Sequence, residues 1–116
     1  MPILRCGVVG YGSIGRIHVD VLRQHPYFGL VAVASRQPEK RLIADKLGCR
    51  WFESADAMLA SGCIDLIVIA TPHWQHADIA IAALQSGVHV VCEKPLAVTV
   101  AQADAVLRAL ARAAVC

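Results

Sequence analysis

The feature that most constrains this chain is Gly10-Tyr11-Gly12-Ser13-Ile14-Gly15, three glycines spaced GxGxxG between an apolar run, Leu4 to Val9, and a stretch of helical periodicity. Glycine suits a backbone that must turn sharply or let another group come close. In a strand-turn-helix setting each glycine has a mechanical task. Gly10 permits the tight turn, Gly12 lets main chain approach a pyrophosphate, and Gly15 allows the helix to pack closely. The helix that follows directs its unpaired amide N–H groups and its positive dipole end at the turn. Three spaced glycines alone are a weak signal. Bracketed by a strand and a helix, they predict a dinucleotide-binding turn over residues 10–15, with Tyr11, Ser13 and Ile14 among its contacts.

The rest of the chain repeats the alternation of short β-rich runs and longer helical patterns that marks βαβ construction. After the first strand, Ile14, Ile17, His18, Val21 and Leu22 fall at helical spacing and predict one buried stripe, ending before Pro26. His18 reads there as a packed boundary residue. Leu30 to Ala34 predicts a second strand; Pro38 and Glu39 suit the first turn of a helix running toward Gly48. Arg50 to Glu53 reads as a short third strand and Ser54 to Ala60 as a brief helix. Ile64 to Ala70, rich in β-branched residues, reads as a buried central strand stopped by Pro72. Trp74 to Ser86 is alanine-rich and helical, closed by Gly87, and Val88 to Cys92 supplies a fifth strand. Thr99 and Gln102 form a capping-box pair opening a last helix, whose Val100, Ala103, Leu107, Leu110 and Ala114 predict its inner side. Right-handed crossovers then favour a doubly wound parallel α/β sheet of order 3-2-1-4-5, the Rossmann type, with its crevice at the carboxyl ends of strands one and four.

At 116 residues the chain has room for one core and not two, so residues 1–116 read as one domain. Hydrophobic residues make up 57% and charged residues 17%, a balance for a sheet buried on both faces rather than for disorder. The net charge of +2 is spread among residues of both signs, without the basic stripe that nucleic acid requires. Five cysteines, odd in number and without a C-x-x-C pair, argue for neither a disulfide framework nor a zinc site and suit a reducing cytoplasm. No apolar stretch approaches the ~18 residues of a membrane span, and no export signal is visible.

An acidic residue commonly stands at the end of the second strand to bind the ribose hydroxyls. Ser35 and Arg36 stand there instead. A carboxylate repels a 2′-phosphate, whereas a hydroxyl beside a guanidinium bonds and neutralises one, which points to NADP, with NAD left open. Lys40 and Arg41, one turn onward, add to that pull; all three cations also suit a solvated helix face.

Thr71-Pro72-His73-Trp74-Gln75-His76, followed seventeen positions after His76 by Glu93-Lys94-Pro95, resembles the N-terminal domain of the Gfo/Idh/MocA oxidoreductases across essentially the whole chain. The resemblance implies hydride transfer between a nicotinamide cofactor and a sugar, cyclitol or related polyol. It implies that Lys94 sits beside nicotinamide and substrate and takes part in proton transfer or polarisation, a role an ammonium can fill because it stabilises negative charge developing on an oxygen. Pro95 then fixes the turn, and Glu93 orients Lys94 or the cofactor rather than acting as base. Thr71 and Pro72 match the family's turn along the cofactor, His76 is a supporting residue, and His73 and Trp74 line the crevice. His73 and His76 have ligand-like spacing, but a third ligand is missing and a helix N-terminus repels cations, so no metal is expected.

The family pattern also has a second, C-terminal α/β domain that supplies much of the substrate site, and these 116 residues contain none of it. Little turnover is therefore expected of the chain alone, since substrate must be held against the nicotinamide. Apolar surface left uncovered favours self-association. Two other readings stay open: a nucleotide-binding sensor without chemistry, and an S-adenosylmethionine domain. The second conflicts with the positive charge at Arg36.

Overall fold

Alternate side chains of each strand enter opposite faces of a sheet, so a strand covered on both faces must be apolar at nearly every position. The central strands meet that condition. In the computed structural model, which describes residues 3–72, 75–93, 97 and 99–113, β1 (Leu4–Val9) and β4 (Leu66–Ile69) lie side by side at the middle of a five-stranded sheet. β2 (Phe28–Ala34) and β3 (Arg50–Phe52) extend it on one side and β5 (His89–Cys92) on the other, giving the order β3-β2-β1-β4-β5 with every pairing parallel. This is the Rossmann arrangement that the alternating pattern predicts.

Helices α1 (Ser13–Gln24) and α2 (Arg41–Leu47) cover one face, and α3 (Ala55–Ala60) and α4 (His76–Gln85) the other. On the first face Val19 and Leu22 of α1 pack with Cys6, Val8 and Val68, while Ala44 of α2 packs with Val33. On the second, Met58 of α3 and Ala80 and Ala83 of α4 close over Ala32, Ile67 and Ile69. Strand β1 thus sends Cys6 and Val8 to one cluster and Val9 to the other. α5 (Val100–Arg112) rests on α4. Its Thr99 cap is complete: the Gln102 amide donates to Thr99 Oγ1 at 3.1 Å and the Thr99 amide to Gln102 Oε1 at 3.2 Å.

The predicted elements are all present, with ends moved by a few residues. β2 begins two residues earlier, at Phe28, β4 is shorter than Ile64 to Ala70, and Pro38–Lys40 forms a 3-10 turn before α2. Two helical stripes need correction. In α1 the inward residues are Gly15, Val19 and Leu22, and Ile14, Ile17 and Val21 face solvent. The cause is Gly15: a helix that must press its glycine against the sheet has its rotation set by that glycine and not by its largest side chains. In α5, Val106 is the buried residue, while Val100, Leu107 and Leu110 are exposed and Ala114 lies outside the described residues. That helix seats on another helix rather than on the sheet, and its alanine-lined side gives the closer approach.

Candidate functional site

The sheet order reverses between β1 and β4, and loops leaving those two strands diverge to open a crevice. At its floor the chain bends at Gly10, which adopts φ +91, a conformation that a side chain disfavours. The bend is bonded on both sides. The Gly10 amide donates to Ala34 O at 2.9 Å at the end of β2, and the Ala70 amide to Val9 O at 2.9 Å. A Cβ on Gly10 would stand 2.6 Å from Ala70 O, and one on Gly15 would stand 1.9 Å from Gly10 O. The first turn of α1 therefore lies directly against the bend. At Gly12, the N-cap of α1, a Cβ would meet nothing within 4 Å. No side chain caps that helix and its first turn holds no acidic residue, so its leading amides have no side-chain partner and its positive dipole end is not offset.

The opening is a cleft of about 810 Å³ lined by residues 9–12, 34–37, 53–56 and 70–72 with Gln75, Asp78 and Ile79. It brings together Gly10, Tyr11, Gly12, Ser35, Arg36, Thr71 and Pro72 from the sequence-derived set. Arg36 is the cationic side chain of the described lining, and Glu53, Asp56 and Asp78 stand on the other walls. Ser13, Ile14 and Gly15 are not in the lining: Gly15 is buried beneath the bend, and Ser13 and Ile14 face solvent on α1. Lys40 and Arg41 are not in the described lining, although Lys40 stands over a ring that is. Lys40 Nζ lies 5.7 Å from the centre of the Tyr11 ring and the Arg41 guanidinium 5.9 Å from that of Trp51.

His76 is fully buried at the start of α4, and its Nε2–H donates to Thr71 O at 2.7 Å, fixing the turn after β4. Thr71 Oγ1, on the cleft wall, is buried and finds no partner among the described residues. An orphaned hydroxyl beside a cleft is a group that a ligand or a water can satisfy. With the open space at Gly12 and the uncapped α1 amides, it fits a diphosphate-linked nucleotide.

β5 ends at Cys92, whose thiol burial pushes up to about 11, with the Glu93 charge adding to the effect, so it stays neutral. Next comes Glu93: its amide donates to Ile69 O at 3.1 Å and its carboxylate pairs with His18 Nε2 of α1. Lys94 and Pro95 lie outside the described residues, as do His73 and Trp74. Sequence reasoning missed Gln37, Glu53, Asp56, Gln75, Asp78 and Ile79 in the lining. Gln37 and Glu53 come soon after the ends of β2 and β3, a topological signal, whereas Asp56 belongs to α3 and Gln75, Asp78 and Ile79 to the start of α4. It also missed the His18–Glu93 pair.

The profile described as the Gfo/Idh/MocA oxidoreductase family with an NAD-binding Rossmann fold matches residues 4–116. The chain belongs to that family. A UDP-N-acetylglucosamine 3-dehydrogenase of Acidithiobacillus ferrooxidans is 36% identical over 105 residues, covering 90% of this chain and 32% of its own length. Among solved structures, the WlbA dehydrogenase of Bordetella pertussis in complex with NADH and UDP-GlcNAcA superposes with a TM-score of 0.91 at 36% identity, covering 97% of this chain and 36% of that one. A biliverdin reductase of Synechocystis with biliverdin and NADP+ gives a TM-score of 0.86 at 35% identity, over 93% and 34% of the two chains. The chain thus spans about a third of the length of these family members.

Proposed function

We propose that this domain holds the nicotinamide dinucleotide of an oxidoreductase that transfers hydride between the cofactor and a sugar, cyclitol or related polyol. The observation that carries the reading is the bend at Gly10–Gly12, open on the cleft side and flanked by uncapped α1 amides and the orphaned Thr71 hydroxyl. Residues 10–15 cradle the diphosphate, Gly12 by close main-chain approach and Gly15 by seating the helix. Ser35 and Arg36 take the adenosine ribose, and the guanidinium there, with no carboxylate at the end of β2, favours NADP over NAD. Thr71, Pro72 and His76 shape the wall toward the nicotinamide half. When bound, the nicotinamide accepts or supplies the hydride. Lys94, held in place by Glu93 and Pro95, holds or relays the proton of the substrate hydroxyl. Of the similar structures described above, one holds NADH with UDP-GlcNAcA and another NADP+ with biliverdin; both support a nicotinamide cofactor, and the first supports a sugar substrate.

A cofactor domain that cannot grip substrate forgoes the gain from proximity, so the chain alone turns over little. The exposed apolar residues of α1 and α5 favour association with further polypeptide, including other copies. The described cysteines are free, as a reducing cytoplasm permits.

The test is calorimetric titration of the chain with NADPH and NADH. NADPH should bind about tenfold more tightly, the scale of one charge-assisted contact in partial solvent, and Arg36→Ala should erase the difference. Tighter binding of NADH overturns the preference for NADP. No binding of either at millimolar coenzyme, with the fold intact, overturns the cofactor reading itself.

A further inference from the structure

α1 begins at the phosphate bend and lies over β1 and β2, whereas β5 is the far edge strand, separated from β1 by β4. His18 bridges that gap. It lies one turn beyond Gly15 on the inward flank of α1, and its Nε2 meets Oε1 of Glu93, 75 residues away, at the exit of β5. Glu93 is thereby held twice, by its amide to Ile69 O of β4 and by its carboxylate to α1. The side chains are 26% and 37% exposed, so the pair contributes little to global stability. Its value lies in where it acts. A carboxylate only accepts, so Nε2–H of His18 is the donor of this contact.

We propose that His18 is a positioning residue: by holding Glu93 it sets the exit of β5, where Lys94 follows in the chain, at a fixed offset from the phosphate bend that opens the same helix. A dinucleotide spans from its diphosphate to its nicotinamide ring, so a group serving the ring end must keep register with the bend. The pair supplies that register through one helix. This inference rests on the cofactor reading above.

The experiment compares NADH with ADP-ribose, which retains the adenosine and both phosphates but lacks the nicotinamide ring, by calorimetry on the full chain. If wild type binds neither ligand, the cofactor reading fails and this inference falls with it. If wild type binds both, the variants decide. His18→Leu should weaken NADH about threefold to fivefold, the range of a partly exposed ion pair, and leave ADP-ribose within error. Glu93→Ala should do the same, the double variant no more than either single one, and His18→Gln, which keeps an N–H donor, should recover part of the loss. Equal weakening of both ligands means that His18 serves only the fold of α1, and unchanged NADH affinity means that the pair positions nothing; either result overturns the inference. Should His18→Leu fail to fold, the Glu93→Ala result decides by the same criteria.

Discussion

Gly15→Ala is the sharpest perturbation of this architecture, because elsewhere in a helix the same change stabilises by up to about 1 kcal/mol. Here the sign reverses. The added methyl would stand 1.9 Å from Gly10 O and 2.9 Å from Gly10 C, both backbone atoms of the bend itself. To pass beyond the 3.0 Å below which such contacts are not found, the helix must retreat by at least about 1.1 Å. Overpacking of this kind costs roughly 1–3 kcal/mol, which outweighs the gain in helix propensity, and for a domain of this size a net loss of about 1 kcal/mol lowers Tm by about 5 °C. Gly12→Ala is the matched control. Its methyl meets nothing within 4 Å, and alanine as a poorer N-cap costs up to about 1 kcal/mol, but the group projects at the bend that lines the cleft.

Thermal melts followed by circular dichroism and NADH titrations of both variants separate the two effects. Gly15→Ala should melt about 5–10 °C low, for a net loss of about 1–2 kcal/mol, and lose coenzyme binding, since α1 and the bend move apart. Gly12→Ala should melt at most about 5 °C low, the cost of the poorer cap, and yet bind at least about tenfold more weakly, the cost of displacing a diphosphate from close main-chain contact. Wild-type melting of Gly15→Ala would refute the seating of α1 against Gly10. Wild-type NADH affinity of Gly12→Ala would refute the assignment of the bend to the diphosphate.

Three further outcomes follow from other parts of the fold. Arg5 donates Nε and Nη2 to the two oxygens of Asp65 at 3.1 and 2.9 Å, and its amide adds a third bond, so the Asp65 carboxyl is held down to about 2. A depressed carboxyl stabilises the fold fully above its ordinary value near 4 and loses that contribution as pH falls through about 2; the stability gap between wild type and Asp65→Asn should therefore be open at pH 6 and closed near pH 2, and a constant gap refutes it. Burial pushes the Cys6 and Cys92 thiols up to about 11. At pH 8 only about one in a thousand is thiolate, so iodoacetamide mapped by mass spectrometry should spare both until the chain unfolds, and prompt labelling of either counts against their burial. Thr99→Ala removes one half of the capping box and should lower stability in urea by about 1 kcal/mol, whereas an unchanged midpoint means that α5 frays independently of the core.

The order of elements was legible because βαβ alternation and handedness leave few sheets to choose from, and because the signals at Gly10, Pro72, Gly87 and Thr99 are local. The glycine bend and the residues at the ends of β2 and β4 were legible for the same reason: each follows directly from a strand end, and parallel strands bring their ends to one edge. The walls at Asp56 and Asp78 were not, since both lie within helices and no spacing inside a segment reports that its neighbour across the sheet opens on the same cleft. Lys40 and Arg41 show a related limit. A count of charges sees two more cations soon after β2, but not that Lys40 comes to lie over the Tyr11 ring and Arg41 over that of Trp51, both outside the cleft lining.

The misread face of α1 ties these together. Periodicity reports that a helix has an apolar side, and Ile14, Ile17 and Val21 do form one, but what turns a helix is its tightest contact and not its greasiest stripe. Here that contact is between Gly15 and the Gly10 carbonyl. Once Gly15 faces inward, the residue three positions on lies on the inward flank beside Val19 and Leu22, and at that place His18 meets the carboxylate leaving β5. The glycine that lets the helix approach the bend also fixes the helical phase that aims His18 at Glu93. An alanine at position 15 should therefore disturb the His18–Glu93 pair as well as the glycine bend, although the atoms nearest the added methyl belong to Gly10 and Ala70.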